Sequence, residues 1–113
     1  MRERIVSKSA IREVSVQDVA KGLGEGRYLL VDVRELSEVS AESYPDSVVV
    51  PLSSFDAREI PAPNGRDVVF ACRSGKRSMT ALQAAQAQGF DFHLNLQGGI
   101  LAWKAAGLPT KQG

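Results

Sequence analysis

Val68-Val69-Phe70-Ala71-Cys72-Arg73-Ser74-Gly75-Lys76-Arg77-Ser78 is the stretch on which the reading of this chain turns. Four apolar residues, β-branched and aromatic for the most part, predict a buried strand over Val68 to Ala71. Ser78 reads as the N-cap of an alanine-rich helix running towards Gly89, with Met79, Ala81, Leu82, Ala84, Ala85 and Ala87 within it. Cys72 therefore stands where a strand ends and a helix is about to begin. A strand followed directly by a helix is also half of a βαβ unit, the building block of a parallel sheet.

The loop between them carries charge. A free thiol has a pKa near about 8.5, and both a helix N-terminus and neighbouring cations lower it by favouring the anion. Backbone N–H groups in the first turn of a helix lack intrahelical partners and together carry roughly half a positive charge. Arg73, Lys76 and Arg77 add side-chain cations, and Gly75 allows a turn tight enough for successive N–H groups to point inward as an anion nest. A lone cysteine is often only a small buried hydrophobe. The cationic loop and the strand-to-helix position favour a reactive sulfur instead.

The alternation continues outward from this stretch. Ile11 to Val14 predicts a short strand, and Ser15 an N-cap for a helix whose stripe is Val16, Val19, Ala20 and Leu23. Gly22, Gly24 and Gly26 are expected to close that helix. They follow a helix and precede a strand, the reverse of what a dinucleotide-binding glycine loop requires. Tyr28 to Val33 is nearly all apolar, as a strand covered on both faces must be. A short helix is expected over 35–41, a strand over Val48 to Val50, a helical segment over 52–60 and a turn at Pro61-Ala62-Pro63-Asn64-Gly65. Phe92 to Leu96 predicts the last strand and Ile100 to Ala106 the last helix, ended by Gly107 with Pro109 beyond. The fold class is thus α/β: an open, mainly parallel sheet of about five strands with helices on both faces. Ligands of such sheets bind outside the carboxyl ends of the strands, where Asp32 to Glu35, Cys72 to Arg77 and Gln97 to Gly99 all fall.

Three segments of the chain resemble the rhodanese sulfurtransferases. Cys72-Arg73-Ser74-Gly75-Lys76-Arg77 resembles that family's active-site loop, Leu30-Val31-Asp32-Val33-Arg34-Glu35 its first motif, and Leu96-Gln97-Gly98-Gly99-Ile100-Leu101-Ala102-Trp103 its last. They lie in family order and span nearly the whole chain. The resemblance implies a rhodanese domain in which Cys72 attacks the outer sulfur of thiosulfate or a similar small anionic donor and carries it as a persulfide. Cyanide, a thiol or a sulfur-carrier protein would then accept that sulfur. It places Arg73, Ser74, Gly75, Lys76, Arg77 and Ser78 around the sulfur, with Asp32 and Arg34 in support.

Roles within this set follow from charge and position. Arg77 is expected to pair with a substrate oxyanion or an acidic neighbour. Arg73 and Lys76 are expected to point outward, as anion-steering groups, a dock for an acidic partner, or plain surface charge. A buried Asp32 needs donors, either the loop N–H groups or Arg34 or Arg77. Arg34 and Glu35 read as structural ion-pairing residues, Trp103 as core, and His93, inside an apolar run, as structural. One departure from the family is visible: where rhodanese domains often read Gly-His-Ile-Pro-Gly-Ala, this chain has Glu42-Ser43-Tyr44-Pro45-Asp46-Ser47, keeping only the proline. The turn is distant from the active loop in sequence, so little effect on activity is expected.

Composition bounds the alternatives. A chain of 113 residues predicts one domain, with residues 1–9, which show no clear period, as a flexible extension and 10–113 as the domain itself. The formal net charge of +1 argues against a nucleic-acid partner. No apolar run has the length of a signal peptide or a membrane span, so a cytoplasmic protein is expected. One cysteine and one histidine provide neither a disulfide nor a zinc site, and no metal or cofactor is expected. With no second thiol to resolve a persulfide, the sulfur acceptor must come from outside. A persulfide carrier or regulatory module without turnover fits the same residues. A rhodanese-related phosphatase fits less well: it places five residues between cysteine and arginine, whereas four separate Cys72 from Arg77 and the arginine position falls on Ser78.

Overall fold

The computed structural model describes residues 10–112. The expected extension over 1–9 lies outside the described residues. Strand β1 (Arg12–Val14) leads to helix α1 (Val16–Gly24), then β2 (Tyr28–Asp32), α2 (Leu36–Ala41), β3 (Glu42–Ser43) and β4 (Val48–Val49). Two separate 3-10 turns follow, Leu52–Ser54 and Ala57–Glu59, before β5 (Asp67–Ala71), α3 (Lys76–Ala87), β6 (Leu94–Leu96), α4 (Gly99–Ala105) and β7 (Lys111–Gln112).

Five strands form one parallel sheet in the order β1-β6-β5-β2-β4. β2 and β5, the two longest, pair in the middle along their whole length, from Tyr28 opposite Asp67 to Asp32 opposite Ala71. Side chains alternate between the faces with the period of two that a strand imposes. Leu30, Val69 and Ala71 pack with Val19, Ile100 and Trp103 beneath α1 and α4. Leu29, Val31, Val68, Phe70 and Cys72 pack with Ala81, Leu82 and Ala85 of α3. Helices thus cover both faces, and the alanines of α3 let it lie close to the sheet.

Local chemistry sets most element ends. The Ser15 side chain accepts from the Asp18 N–H at 3.1 Å and caps α1. Glu35 caps α2 through a reciprocal capping box with Glu38. Two expected helix ends change, as do the single helical segment expected over 52–60, which is two 3-10 turns, and the last strand, which begins at Leu94 and not Phe92. Gly22 does not close α1 but lies buried inside it, where a Cβ would meet the Tyr28 ring at 2.3 Å. The glycine is there for close packing, and the helix runs on to Gly24. Ser78 is not the cap of α3, because Gly75, at φ +99°, turns the chain into the helix earlier and Lys76 is its first residue. Ser78 falls in the first turn, fully buried.

A feature with no counterpart in the sequence reading is the small antiparallel pairing of β3 with β7, Glu42 opposite Gln112 and Ser43 opposite Lys111. Glu42 anchors it, accepting from Lys104 Nζ at 2.8 Å, Thr110 Oγ1 at 2.6 Å and Gln112 Nε2 at 3.0 Å. With Lys104 as the leading cause and the two neutral donors helping, the Glu42 carboxyl is held down at about 2.

Candidate functional site

Cys72 follows the last residue of β5, at the carboxyl end of the sheet and at its centre. The thiol is fully buried and its Sγ receives the Gly75 N–H at 3.1 Å and the Ser78 N–H at 3.4 Å, with the Ser78 hydroxyl also 3.4 Å away. The bend that brings these donors onto one atom depends on Gly75, whose backbone conformation disfavours any residue with a Cβ. Burial alone pushes the Cys72 thiol up. The N–H groups of Ser78, Gly75 and Ser74, together with the Ser78 hydroxyl where its proton turns to the sulfur, oppose that and leave the thiol below its ordinary value.

The carbonyl side of this loop is held just as firmly. The first turn of α4 donates Ile100 N–H to the Cys72 carbonyl at 3.0 Å and Leu101 N–H to the Arg73 carbonyl at 3.2 Å. This close approach explains the paired glycines: a Cβ on Gly99 would stand 2.4 Å from the Arg73 carbonyl oxygen, and Gly99 itself has φ +61°. The Gln97 to Gly99 turn therefore meets the Cys72 loop at the edge where the topology places both. A second donor reaches the Cys72 carbonyl from the segment that departs from the rhodanese pattern. The Tyr44 hydroxyl donates to the Cys72 carbonyl at 2.8 Å, with its ring buried edge-on against Trp103 at 5.5 Å. That turn is remote from the Cys72 loop in sequence and in contact with it in the fold.

Asp32 and Arg34 form a buried pair beside this cluster. Arg34 Nε donates to both Asp32 oxygens at 3.1 Å, a second guanidinium nitrogen donates to Oδ2 at 2.8 Å, and the Arg34 N–H adds a bond to Oδ1 at 3.0 Å. Of the expected partners, the loop N–H groups, Arg34 and Arg77, it is Arg34 that Asp32 takes. The guanidinium also faces the Tyr44 ring, 5.5 Å from its centroid, and reaches the Glu42 carbonyl at 3.0 Å. The pair thus props the Tyr44 segment and does not touch Cys72. Glu35 accepts from Ser53 through both its N–H and its hydroxyl.

Arg77 takes the acidic neighbour. Its guanidinium forms a two-pronged pair with Glu38 of α2 at 2.6 and 2.8 Å. Arg77 in turn holds the Glu38 carboxyl at about 2. Arg73, Ser74 and Lys76 are exposed at the rim. Trp103 is core, its Nε1 donating to the Pro109 carbonyl at 2.8 Å. His93 is half-buried just before β6, at the end of the sheet away from Cys72. Among the described residues no three His, Cys, Asp or Glu side chains gather in a way that could hold a metal ion, and no helix is long and apolar enough to cross a membrane.

Three side chains of this cluster have no role among the sequence expectations: Tyr44, Glu38 and Asn95. Asn95, on β6, is 1% exposed and lies between Ser78, Gly75 and Glu13. A lone polar residue in the apolar run Leu94-Asn95-Leu96 was the available clue, because such a residue needs buried partners.

Residues 15–106 match the model of the rhodanese-like domain. The chain belongs to the rhodanese-like family. It is 37% identical over 100 residues to a sulfurtransferase of Allochromatium vinosum, covering 88% of this chain and 94% of that one. It is 43% identical over 82 residues to an uncharacterized protein of Synechocystis, covering 73% of this chain but only 46% of that relative. The crystal structure of a rhodanese-related protein from Thermoplasma volcanium superposes with a TM-score of 0.75 at 25% identity, covering 88% and 97% of the two chains. Fold and family agree, and relatives bearing the name sulfurtransferase associate this rhodanese-like domain with sulfur transfer.

Proposed function

We propose that this protein is a sulfurtransferase in which Cys72 carries sulfane sulfur as a persulfide. The observation that carries this reading is the convergence of the Gly75 and Ser78 N–H groups on Cys72 Sγ. These donors are part of the backbone and need no reorganisation when negative charge arrives. Thiosulfate is the donor that fits best, because its doubly negative charge suits the exposed Arg73 and Lys76 at the rim.

In the first half-reaction the Cys72 thiolate attacks the outer sulfur of thiosulfate. A new S–S bond forms, the S–S bond of thiosulfate breaks, and its electron pair leaves on sulfite. The enzyme retains one negative charge, now on the terminal sulfur, where the loop N–H groups stabilise it. In the second half-reaction cyanide or an acceptor thiolate attacks that terminal sulfur, giving thiocyanate or a new persulfide and returning the Cys72 thiolate. The chain has no second cysteine, so the acceptor is another molecule, a small nucleophile or a sulfur-carrier protein.

Incubation with thiosulfate followed by intact-mass analysis should add one sulfur to the wild type and none to Cys72→Ala. Addition of cyanide should remove it as thiocyanate, repeatedly while donor remains. One equivalent of thiocyanate with no turnover would mark a persulfide carrier. Equal performance by Cys72→Ala would overturn the reading, and release of phosphate from an aryl phosphate would replace it with the phosphatase one.

A further inference from the structure

Asn95 sits one side chain away from the reactive sulfur, and the direction of its amide is fixed by its neighbours. Its Nδ2 lies 3.1 Å from the Gly75 carbonyl and 3.0 Å from Glu13 Oε2, both of which can only accept. The nitrogen must therefore face those two oxygens, which turns Oδ1 towards the Ser78 hydroxyl at 2.5 Å. An amide oxygen cannot donate, so the single hydroxyl proton of Ser78 points at Asn95. Cys72 Sγ, 3.4 Å from the same hydroxyl, faces its lone pairs.

That geometry suits one state of the sulfur better than the other. A neutral Cys72 thiol can donate its S–H to the Ser78 oxygen while Ser78 donates to Asn95, and every group is satisfied. A Cys72 thiolate asks for the hydroxyl proton. Ser78 can give it only by leaving Asn95 Oδ1 unpartnered in a position with 1% exposure, and an orphaned buried acceptor is costly. Once a second sulfur is attached, Sγ is neutral again and the charge has moved outward to the N–H groups of the loop. The hydroxyl then stays with Asn95 without conflict.

We infer that Asn95 is a positioning residue for sulfur transfer: by competing with Cys72 for the one hydroxyl proton of Ser78, it disfavours the bare thiolate relative to both the thiol and the persulfide. The inference rests on the reading of Cys72 as the sulfur carrier. A less stabilised thiolate is more basic and intrinsically more nucleophilic. The buried amide thus opposes the loop, which lowers the thiol, and keeps the sulfur reactive.

Beyond the exposed Arg73 and Lys76 of its own loop, the other charged and titratable groups around Cys72 lie on α3 and α2, at Tyr44, at the end of β2 and on β1. Arg77 on α3 is held by Glu38 of α2, and Tyr44 donates to the Cys72 carbonyl. The Asp32–Arg34 pair stands at the end of β2. Glu13 is reached only through Asn95. None of them makes a hydrogen bond to the Ser78 hydroxyl, so among the described residues its proton has two claimants, Asn95 and Cys72.

The test is a thiolate titration by ultraviolet absorbance, clean because the chain has one cysteine. Asn95→Leu should lower the Cys72 midpoint by about one pH unit, the size of one hydrogen bond to a charged group. Ser78→Ala should raise the midpoint clearly in the Asn95→Leu background, where the hydroxyl proton is free to turn to the sulfur, and should leave it unchanged or lower it in the wild type, where Asn95 holds that proton. A midpoint unchanged or raised by Asn95→Leu, or equal effects of Ser78→Ala in both backgrounds, would overturn the inference. Where Asn95→Leu fails to fold, wild-type protein labelled with nitrogen-15 gives the second measurement. The Asn95 side-chain amide signals should move with the Cys72 titration, and a flat response would overturn the inference equally. Neither titration uses a sulfur donor, so persulfide formation by the wild type separately decides whether the underlying sulfurtransferase reading stands.

Discussion

The Tyr44 hydroxyl donates to the carbonyl oxygen of Cys72 at 2.8 Å, across 28 positions of sequence. The bond helps to hold the peptide that leads out of Cys72 into its loop. Tyr44→Phe keeps the ring against Trp103 and Arg34 and removes only the hydroxyl. The carbonyl retains Ile100 N–H, so it is not orphaned. The expected loss is about 1 kcal/mol of stability, read as a melting temperature roughly 5 °C lower. Sulfur transfer should fall several-fold as the loop loosens.

Gly99 is expected to be intolerant of any side chain. A Cβ there would overlap the Arg73 and Cys72 carbonyls at 2.4 to 2.5 Å, and φ +61° is already unfavourable for other residues. The obstacle is backbone and cannot swing away. Gly99→Ala should push α4 off the loop, destabilise the protein by about 2 kcal/mol or more in urea unfolding, and abolish persulfide loading. Gly24→Ala is the control: open space surrounds that position and its φ is ordinary, so both readouts should stay near wild type.

The β-α alternation was legible because each strand is a short apolar run bounded by turn residues and each helix carries its own caps. Ser15 shows this directly: the N-cap read from its side chain is the bond that forms. Local signal misleads where tertiary contact overrides it. Ser78 has the chemistry of a cap, yet Gly75 turns the chain first and buries the serine against Cys72 and Asn95. Gly22 resembles a helix terminator, but the Tyr28 ring packed on it explains the glycine instead. Cys72 and its loop were readable because their donors are neighbours in sequence. Tyr44, Glu38 and Asn95 were not, since their partners stand 28, 39 and 17 residues away.

The Glu38–Arg77 pair predicts a shallow acid limb in stability. The folded Glu38 carboxyl titrates at about 2, depressed by the Arg77 guanidinium, against an ordinary value of 4.5. A group depressed on folding stabilises fully above its unfolded value, and that stabilisation fades as pH falls from about 4.5 towards 2. Both side chains are about a third exposed, so screening by water and salt limits the contribution to about 1 kcal/mol. Urea unfolding at descending pH should show Glu38→Gln losing its deficit relative to wild type across that window. A deficit that persists unchanged at pH 2 would show that Glu38 acts through packing and not through its charge.

Arg34 makes the sharper case, because its pair is buried. With Asp32 fully buried and Arg34 3% exposed, the two satisfy each other at 2.8 Å, and little water reaches either. Arg34→Leu would leave a carboxylate without its cation in the core and remove the bond to the Glu42 carbonyl. The expected loss is about 3 to 5 kcal/mol, much of the stability of a domain this size. Asp32→Asn with Arg34→Leu leaves neither charge behind, and the double variant should recover a substantial part of that loss in the same urea titration. It should also still load one sulfur on Cys72, because the pair touches Tyr44 and the β3 segment and not the thiol. A double variant that is well folded but fails to load would place Asp32 and Arg34 inside the reaction and not beneath it.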